Sequence, residues 1–339
     1  MLQALFHAWE RRLASVTKDR VVRPFEWGLD WIPDDSSRDG LPADQIGGYV
    51  ARVMADTDAF FTPPPTTEYT LTPAPDGDLL TFPSAFVTPH ESNNTVRARF
   101  FPAKQPKAAV LVMPQWNSDA GGHIGLSKLL AMNGLSALRL SLPYHDQRMP
   151  PELHRADYIV SANVMRTLQV CRQAVLDARR AIAWLKLQGY DRIGILGTSL
   201  GSCLALLTTA HEPLIQAEAL NHISPYFADV VWRGLSTAHV REGMNGHVEL
   251  DLLRSIWQPI SPRGYLERLR NRQTLLVYAR YDLTFPVDLS EDLVRAFKDQ
   301  HIPHEVAVLN CGHYSTGKAP FKFVDGYILT RFLKKALSQ

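Results

Sequence analysis

From residue 108 onward the sequence alternates short, unbroken apolar runs with segments of helical length. The runs are 108–113, 135–142, 192–196, 217–223, 274–281 and 305–309. Between and after them, helical spacing of apolar residues marks 126–132, 159–188, 200–210, 289–299 and 321–337. A strand that reads apolar throughout has both faces covered, so this alternation predicts a parallel sheet with helices packed on each side. The fold class is α/β. Upstream, 66–72, 79–88 and 95–101 are β-prone and are separated by Pro75-Asp76-Gly77-Asp78 and Glu91-Ser92-Asn93-Asn94. Those turn signals predict antiparallel strands at one edge of the sheet.

Two regions fall outside the alternation. Residues 1–65 read as an N-terminal extension that ends at Phe61-Thr62-Pro63-Pro64-Pro65, too proline-rich for a helix or a central strand. Within it, Leu2, Leu5, Phe6, Trp9 and Leu13 recur at helical spacing and predict an amphipathic helix that docks on the body rather than on a membrane surface. Glu10, Arg11 and Arg12 interrupt the apolar run before any small-residue cleavage site, so the start does not read as a signal peptide. Residues 224–270 contain Trp232, His239, His247 and Trp257 among several glycines and prolines. They predict a small cap inserted over the carboxyl edge of the sheet, within a main domain of residues 66–339, and Trp232 and Trp257 are its candidate pocket residues.

Composition narrows the function. The 339 residues carry 36 Lys and Arg against 34 Asp and Glu, a net charge of +2, which leaves no electrostatic footprint for nucleic acid. No apolar run reaches the roughly 20 residues of a membrane span. Cys171, Cys203 and Cys311 are too scattered for a disulfide framework or a zinc cluster, and they fit a reducing, cytoplasmic setting. No Gly-x-Gly-x-x-Gly follows the first buried run, there is no Walker loop, and Gly121-Gly122-His123-Ile124-Gly125 lacks phosphate-binding spacing. His301 and His304 lack a third ligand, so neither a metal nor a cofactor is expected. Self-association into a homo-oligomer stays open.

The chemistry concentrates at three run ends. Gly197-Thr198-Ser199-Leu200-Gly201 follows the run 192–196 and opens the helix 200–210, which places Ser199 on a tight strand-to-helix turn with its hydroxyl above the sheet edge. A serine hydroxyl becomes a nucleophile at neutral pH only if a histidine takes its proton and a third group orients that histidine. Asp282 follows the run 274–281 and is the acid candidate, with Asp288 in reserve. His313 follows the run 305–309 and is the base candidate; Cys311 nearby reads as packing. The developing oxyanion needs amide donors. Leu200, just after the nucleophile, offers one, and the loop Pro114-Gln115-Trp116-Asn117 offers the other, with Trp116 preferred and Gln115 second.

On the elbow Gly197-Thr198-Ser199-Leu200-Gly201, Asp282 and Gly312-His313, residues 70–339 resemble the α/β-hydrolase superfamily, on the side of the serine esterases, acetyl xylan esterases and dienelactone hydrolases. The resemblance implies a mostly parallel eight-stranded sheet flanked by helices, no cofactor, and hydrolysis of a small-molecule carboxylic ester through an acyl-enzyme. Pro114-Gln115 stands where many members have His-Gly. Two rival functions are a peptidase of prolyl-oligopeptidase type, whose usual propeller this length does not accommodate, and a hydrolase fold kept as a non-catalytic interaction module.

Overall fold

The computed structural model describes residues 2–33, 40–104 and 108–338. Its strands are β1 (Thr70–Thr72), β2 (Asp78–Pro83), β3 (Thr95–Phe101), β4 (Ala108–Met113), β5 (Leu135–Leu140), β6 (Arg192–Thr198), β7 (Ile215–Asn221), β8 (Gln273–Ala279) and β9 (Glu305–Leu309). They form one sheet in the order β1-β2-β3-β5-β4-β6-β7-β8-β9. The pairs β1–β2, β2–β3 and β3–β5 are antiparallel, and every ladder from β5 to β9 is parallel. The sheet has nine strands, the number of β-prone and apolar runs in the sequence and one more than the resemblance implies.

The unbroken apolar runs have the expected cause. All six residues of β4 and all six of β5 are buried, because each strand presents alternate side chains to two cores. Ala109, Leu111 and Met113 enter one core with the long helix Val164–Leu187 and the helix Leu200–His211. Val110 and Val112 enter the other, with Leu130 from helix Ile124–Met132 and Leu329 and Leu333 from helix Phe321–Ala336. Helix Val287–Asp299 follows β8.

Several boundaries move for local reasons. The long helix begins at Val164 rather than 159, because the Asn163 side chain accepts the Arg166 N–H and caps it. β2 ends at Pro83, where Ser84 turns inward and donates to the buried Asp177 carboxylate at 2.8 Å. β7 ends at Asn221 because His222 adopts φ 56°, which no strand continues.

Ahead of the sheet lie helices Leu2–Ala14, Pro42–Ala55 and Thr57–Phe61. Between β7 and β8 the chain forms Phe227–Arg233, Ala238–Met244 and Leu250–Ile256, joined by short turns. The two regions touch: the Phe25 ring stacks on His247 at 4.8 Å, and a Cβ on Gly243 would lie 2.2 Å from the Arg23 carbonyl oxygen. Among the described residues no helix is long and apolar enough to cross a membrane.

Candidate active site

β6 runs directly into helix Leu200–His211, and Ser199 between them has φ 56° and ψ −121°, a region that only a tightly determined turn imposes on a side chain. The flanking glycines are demanded by close approach. A Cβ on Gly197 would sit 2.2 Å from the Gly201 carbonyl oxygen, and one on Gly201 would sit 2.2 Å from that of Met113.

β8 and β9 deliver the other two groups. Asp282 lies just past β8 and is buried; its Oδ1 accepts the Thr284 and Phe285 amides, each at 2.8 Å. Burial pushes its carboxyl up, but the charge of His313 and hydrogen bonds from His222 and His313 outweigh burial and hold it well below the usual carboxylate range. An ionised carboxylate only accepts, so His313 Nδ1–H donates to Asp282 Oδ2 at 2.9 Å. That tautomer leaves His313 Nε2 free to accept the Ser199 hydroxyl at 3.0 Å. The Phe285 ring lies nearly parallel to the imidazole, 5.3 Å away and tilted by 7°. Ser199, His313 and Asp282 therefore form one unbroken hydrogen-bonded chain.

Asp282 has a further partner that the sequence reading missed. His222 Nδ1–H donates to the same Oδ2 at 3.0 Å, and the two imidazole centroids are 4.5 Å apart. Burial depresses the His222 pKa, yet Asp282, Asp325 and Glu10 together raise it above the ordinary histidine value. Nearby, Asp325 accepts from Asn221 Nδ2 at 2.9 Å, and burial pushes its carboxyl up to about 6. The signal for His222 was its place at the carboxyl end of β7, between the strands that carry Ser199 and Asp282. Among the described residues, His222, Asp282 and His313 are the one His/Cys/Asp/Glu group spaced to ligate a metal, and an ion there would have to replace the two His–Asp hydrogen bonds.

The oxyanion candidates line the same cavity as Ser199: Gln115, Trp116 and Leu200. None of their three amide N–H groups has a hydrogen-bond partner among the described residues. The loop is pinned from behind. The Asn117 amide donates to His145 Nε2 at 2.9 Å, the Asn117 side-chain oxygen accepts the Ala156 amide at 2.8 Å, and the Trp116 indole donates to the Ala156 carbonyl at 2.8 Å. Burial lowers the His145 pKa to about 4, which keeps Nε2 an acceptor.

The cavity, about 1410 Å³, is walled beyond the Ser199 region by Val160, Phe227, Val230, Val231 and Phe285. Trp232 and Trp257 are corrected: the structure brings neither to it. Trp257 is fully buried, its indole donates to the Val164 carbonyl at 2.9 Å, and its ring meets Phe227 edge-on. A buried indole N–H must find an acceptor, and this one finds a backbone carbonyl in the first turn of the long helix. Trp232 packs partly buried at the margin of the core. Asp288 faces outward in a two-pronged pair with Arg233 and does not reach His313. Cys311 is buried with its thiol pushed up to about 11 by that burial. His301 and His304 each hold a local backbone carbonyl.

No protein-family model matches the chain, and no curated protein matches it in sequence. Solved structures do. An acetyl xylan esterase from a Paenibacillus species shares 15% identity at a TM-score of 0.62, over 91% of this chain and 98% of that one. Acetyl xylan esterase 1 from a Thermoanaerobacterium species shares 13% at 0.60, over 95% and 98%. Pyrococcus horikoshii acylaminoacyl peptidase shares 13% at 0.60 over 86% of this chain, which spans only 44% of that longer protein. The chain has the α/β-hydrolase fold.

Proposed function

We propose that this chain is a serine hydrolase that cleaves a small carboxylic ester through an acyl-enzyme. The observation that carries the reading is the continuous hydrogen-bonded chain from Ser199 through His313 to Asp282, set beside unpaired amides on the wall of one cavity. Ser199 Oγ attacks the ester carbonyl carbon while its proton passes to His313 Nε2. The carbonyl oxygen gains negative charge and is held by the amides of Leu200 and Trp116, with Gln115 adjoining. The intermediate collapses, the C–O bond to the alcohol breaks, and His313 returns the proton to the leaving oxygen. Water then enters, gives a proton to His313 and attacks the acyl carbon. The acid leaves, and the proton returns to Ser199. Asp282 holds the imidazole in the tautomer that accepts from serine and stabilises the cation formed at each step. The protein's own groups suffice for this route without a cofactor.

Residues 224–270, with the extension around Trp27 and Trp31, act in this reading as a cap over the site, supported by the cavity walls Phe227, Val230 and Val231. The three cysteines are free and buried, which suits a cytoplasmic setting. The likeness to acylaminoacyl peptidase favours amide cleavage as the second reading.

A fluorophosphonate tests the chemistry, since only an activated serine beside oxyanion donors attacks its phosphorus. Intact mass is expected to show one adduct on the parent and none on Ser199→Ala. A folded parent that stays unlabelled makes the chain a non-catalytic module, and an adduct that survives Ser199→Ala moves the nucleophile elsewhere. On matched p-nitrophenyl esters and p-nitroanilides, a higher kcat/KM for anilides turns the reading to a peptidase.

A further inference from the structure

We propose that Glu10 is a positioning residue of the active site: from helix Leu2–Ala14 its carboxylate fixes the backbone of the loop that bears His313, which makes the N-terminal segment part of the catalytic apparatus. The inference rests on His313 being the base. Glu10 is fully buried. Its Oε2 accepts the Tyr314 amide at 2.8 Å and its Oε1 accepts the Ser315 amide at 2.9 Å, across more than three hundred residues of sequence. Those amides lead into the short turn Ser315–Gly317, whose first N–H groups have no partner within the turn. Among the described residues Glu10 has no ion-pair partner, so the loop's own amides are what hold this buried charge.

The surrounding sequence is shaped to admit the carboxylate. A Cβ on Gly312 would lie 2.3 Å from the Glu10 carboxyl carbon, so glycine precedes His313 because Glu10 occupies the space. The same segment also packs on the residue beside the acid. Phe6 stacks on Tyr281, the residue before Asp282, at 4.6 Å and 13°, and Arg20 Nη2 donates to the Tyr314 hydroxyl at 2.9 Å. Docking a helix requires only its apolar stripe, here Phe6 and Trp9 against Phe321. A buried carboxylate aimed at the residues flanking His313 is an additional feature, placed where it fixes the 3.0 Å approach of Nε2 to Ser199. Displacement of a reacting group by about 1 Å costs about 10²-fold in rate.

The test uses the full chain with Glu10→Gln, Glu10→Ala, Gly312→Ala and the Glu10→Ala/Gly312→Ala double variant. For each, kcat and KM on a p-nitrophenyl ester are measured well below the melting midpoint and normalised to the folded fraction by near-ultraviolet circular dichroism. Glu10→Gln keeps one acceptor oxygen and is expected to lose about 10-fold in kcat, and Glu10→Ala about 100-fold, with KM within about threefold. Gly312→Ala is expected to lower kcat alone but to add nothing to Glu10→Ala, because the obstructing carboxylate is then gone. Parental kcat per folded molecule in Glu10→Ala, even with a lowered midpoint, would mean a merely structural residue and overturn the inference, as would additive losses in the double variant. If Glu10→Ala does not fold, parental kcat in Glu10→Gln overturns it equally. A parent that fails fluorophosphonate labelling overturns the hydrolase reading and this inference together, whereas a labelled parent with fully active Glu10 variants overturns this one alone.

Discussion

The position and charge of Asp282 are over-determined at the scale of single residues. Asp282 accepts four N–H groups, two backbone and two imidazole, and each favours its ionised form. The two backbone bonds set the carboxylate's position, while the imidazole pair divides one oxygen between His313 and a second histidine. Replacing Asp282 with Asn keeps the shape but presents His313 with the wrong partner, and kcat is expected to fall by up to about 10⁴. His222→Phe removes one charge-assisted donor and leaves three, so its loss is expected nearer 10-fold. Asp288→Asn breaks only an exposed pair with Arg233 and is expected to leave kcat within about twofold. Steady-state kinetics on one ester check all three, and a large loss in Asp288→Asn with near-normal Asp282→Asn would relocate the acid.

Elements decide what the cavity accepts. The segment between β7 and β8 contributes walls to the cavity that holds Ser199, but its tryptophans and those walls are different residues. Trp257 ties the segment to the first turn of helix Val164–Leu187, while Phe227 and Val231 line the cavity. Trp257→Ala is therefore expected to cost about 3–5 kcal/mol of stability and leave the preferred acyl length unchanged. Phe227→Ala is expected to move that preference toward longer chains, by at most about 1–3 kcal/mol of discrimination per methylene. Thermal melting and kcat/KM on p-nitrophenyl esters from acetate to decanoate separate the two effects. An unchanged optimum in Phe227→Ala would remove this segment from the acyl pocket.

For the whole molecule, stability carries a pH dependence set in the sheet interior. Glu218 lies on β7, fully buried, with one oxygen accepting from Thr274 and the other without a partner. Burial pushes its carboxyl from an ordinary 4.5 up to about 7, against the hydrogen bond of Thr274. Between those values the native protein holds a proton that the unfolded chain has released, so stability falls as pH rises through that window. The loss is on the order of 3 kcal/mol when complete. Glu218→Gln removes the linkage. Its melting midpoint is expected to change less than the parent's between pH 5 and pH 8, and equal changes in both would assign the slope to other groups.

The sequence by itself determined the sheet and the order of the polar residues that its strand ends bring together. Strands buried on both faces must read apolar throughout, and a serine on a tight turn needs small neighbours, so the β4-to-β9 series and the positions of Ser199, Asp282 and His313 were visible as local patterns. Tertiary structure decided what no local pattern encodes. Glu10 reaches the His313 loop from more than three hundred residues away, and His222 meets Asp282 only because β7 and β8 pair in parallel register. Trp257 reads the same in sequence whether it faces a ligand or a helix end. Long-range packing alone chose the Val164 carbonyl, because a buried indole N–H must take an acceptor that the fold brings within reach.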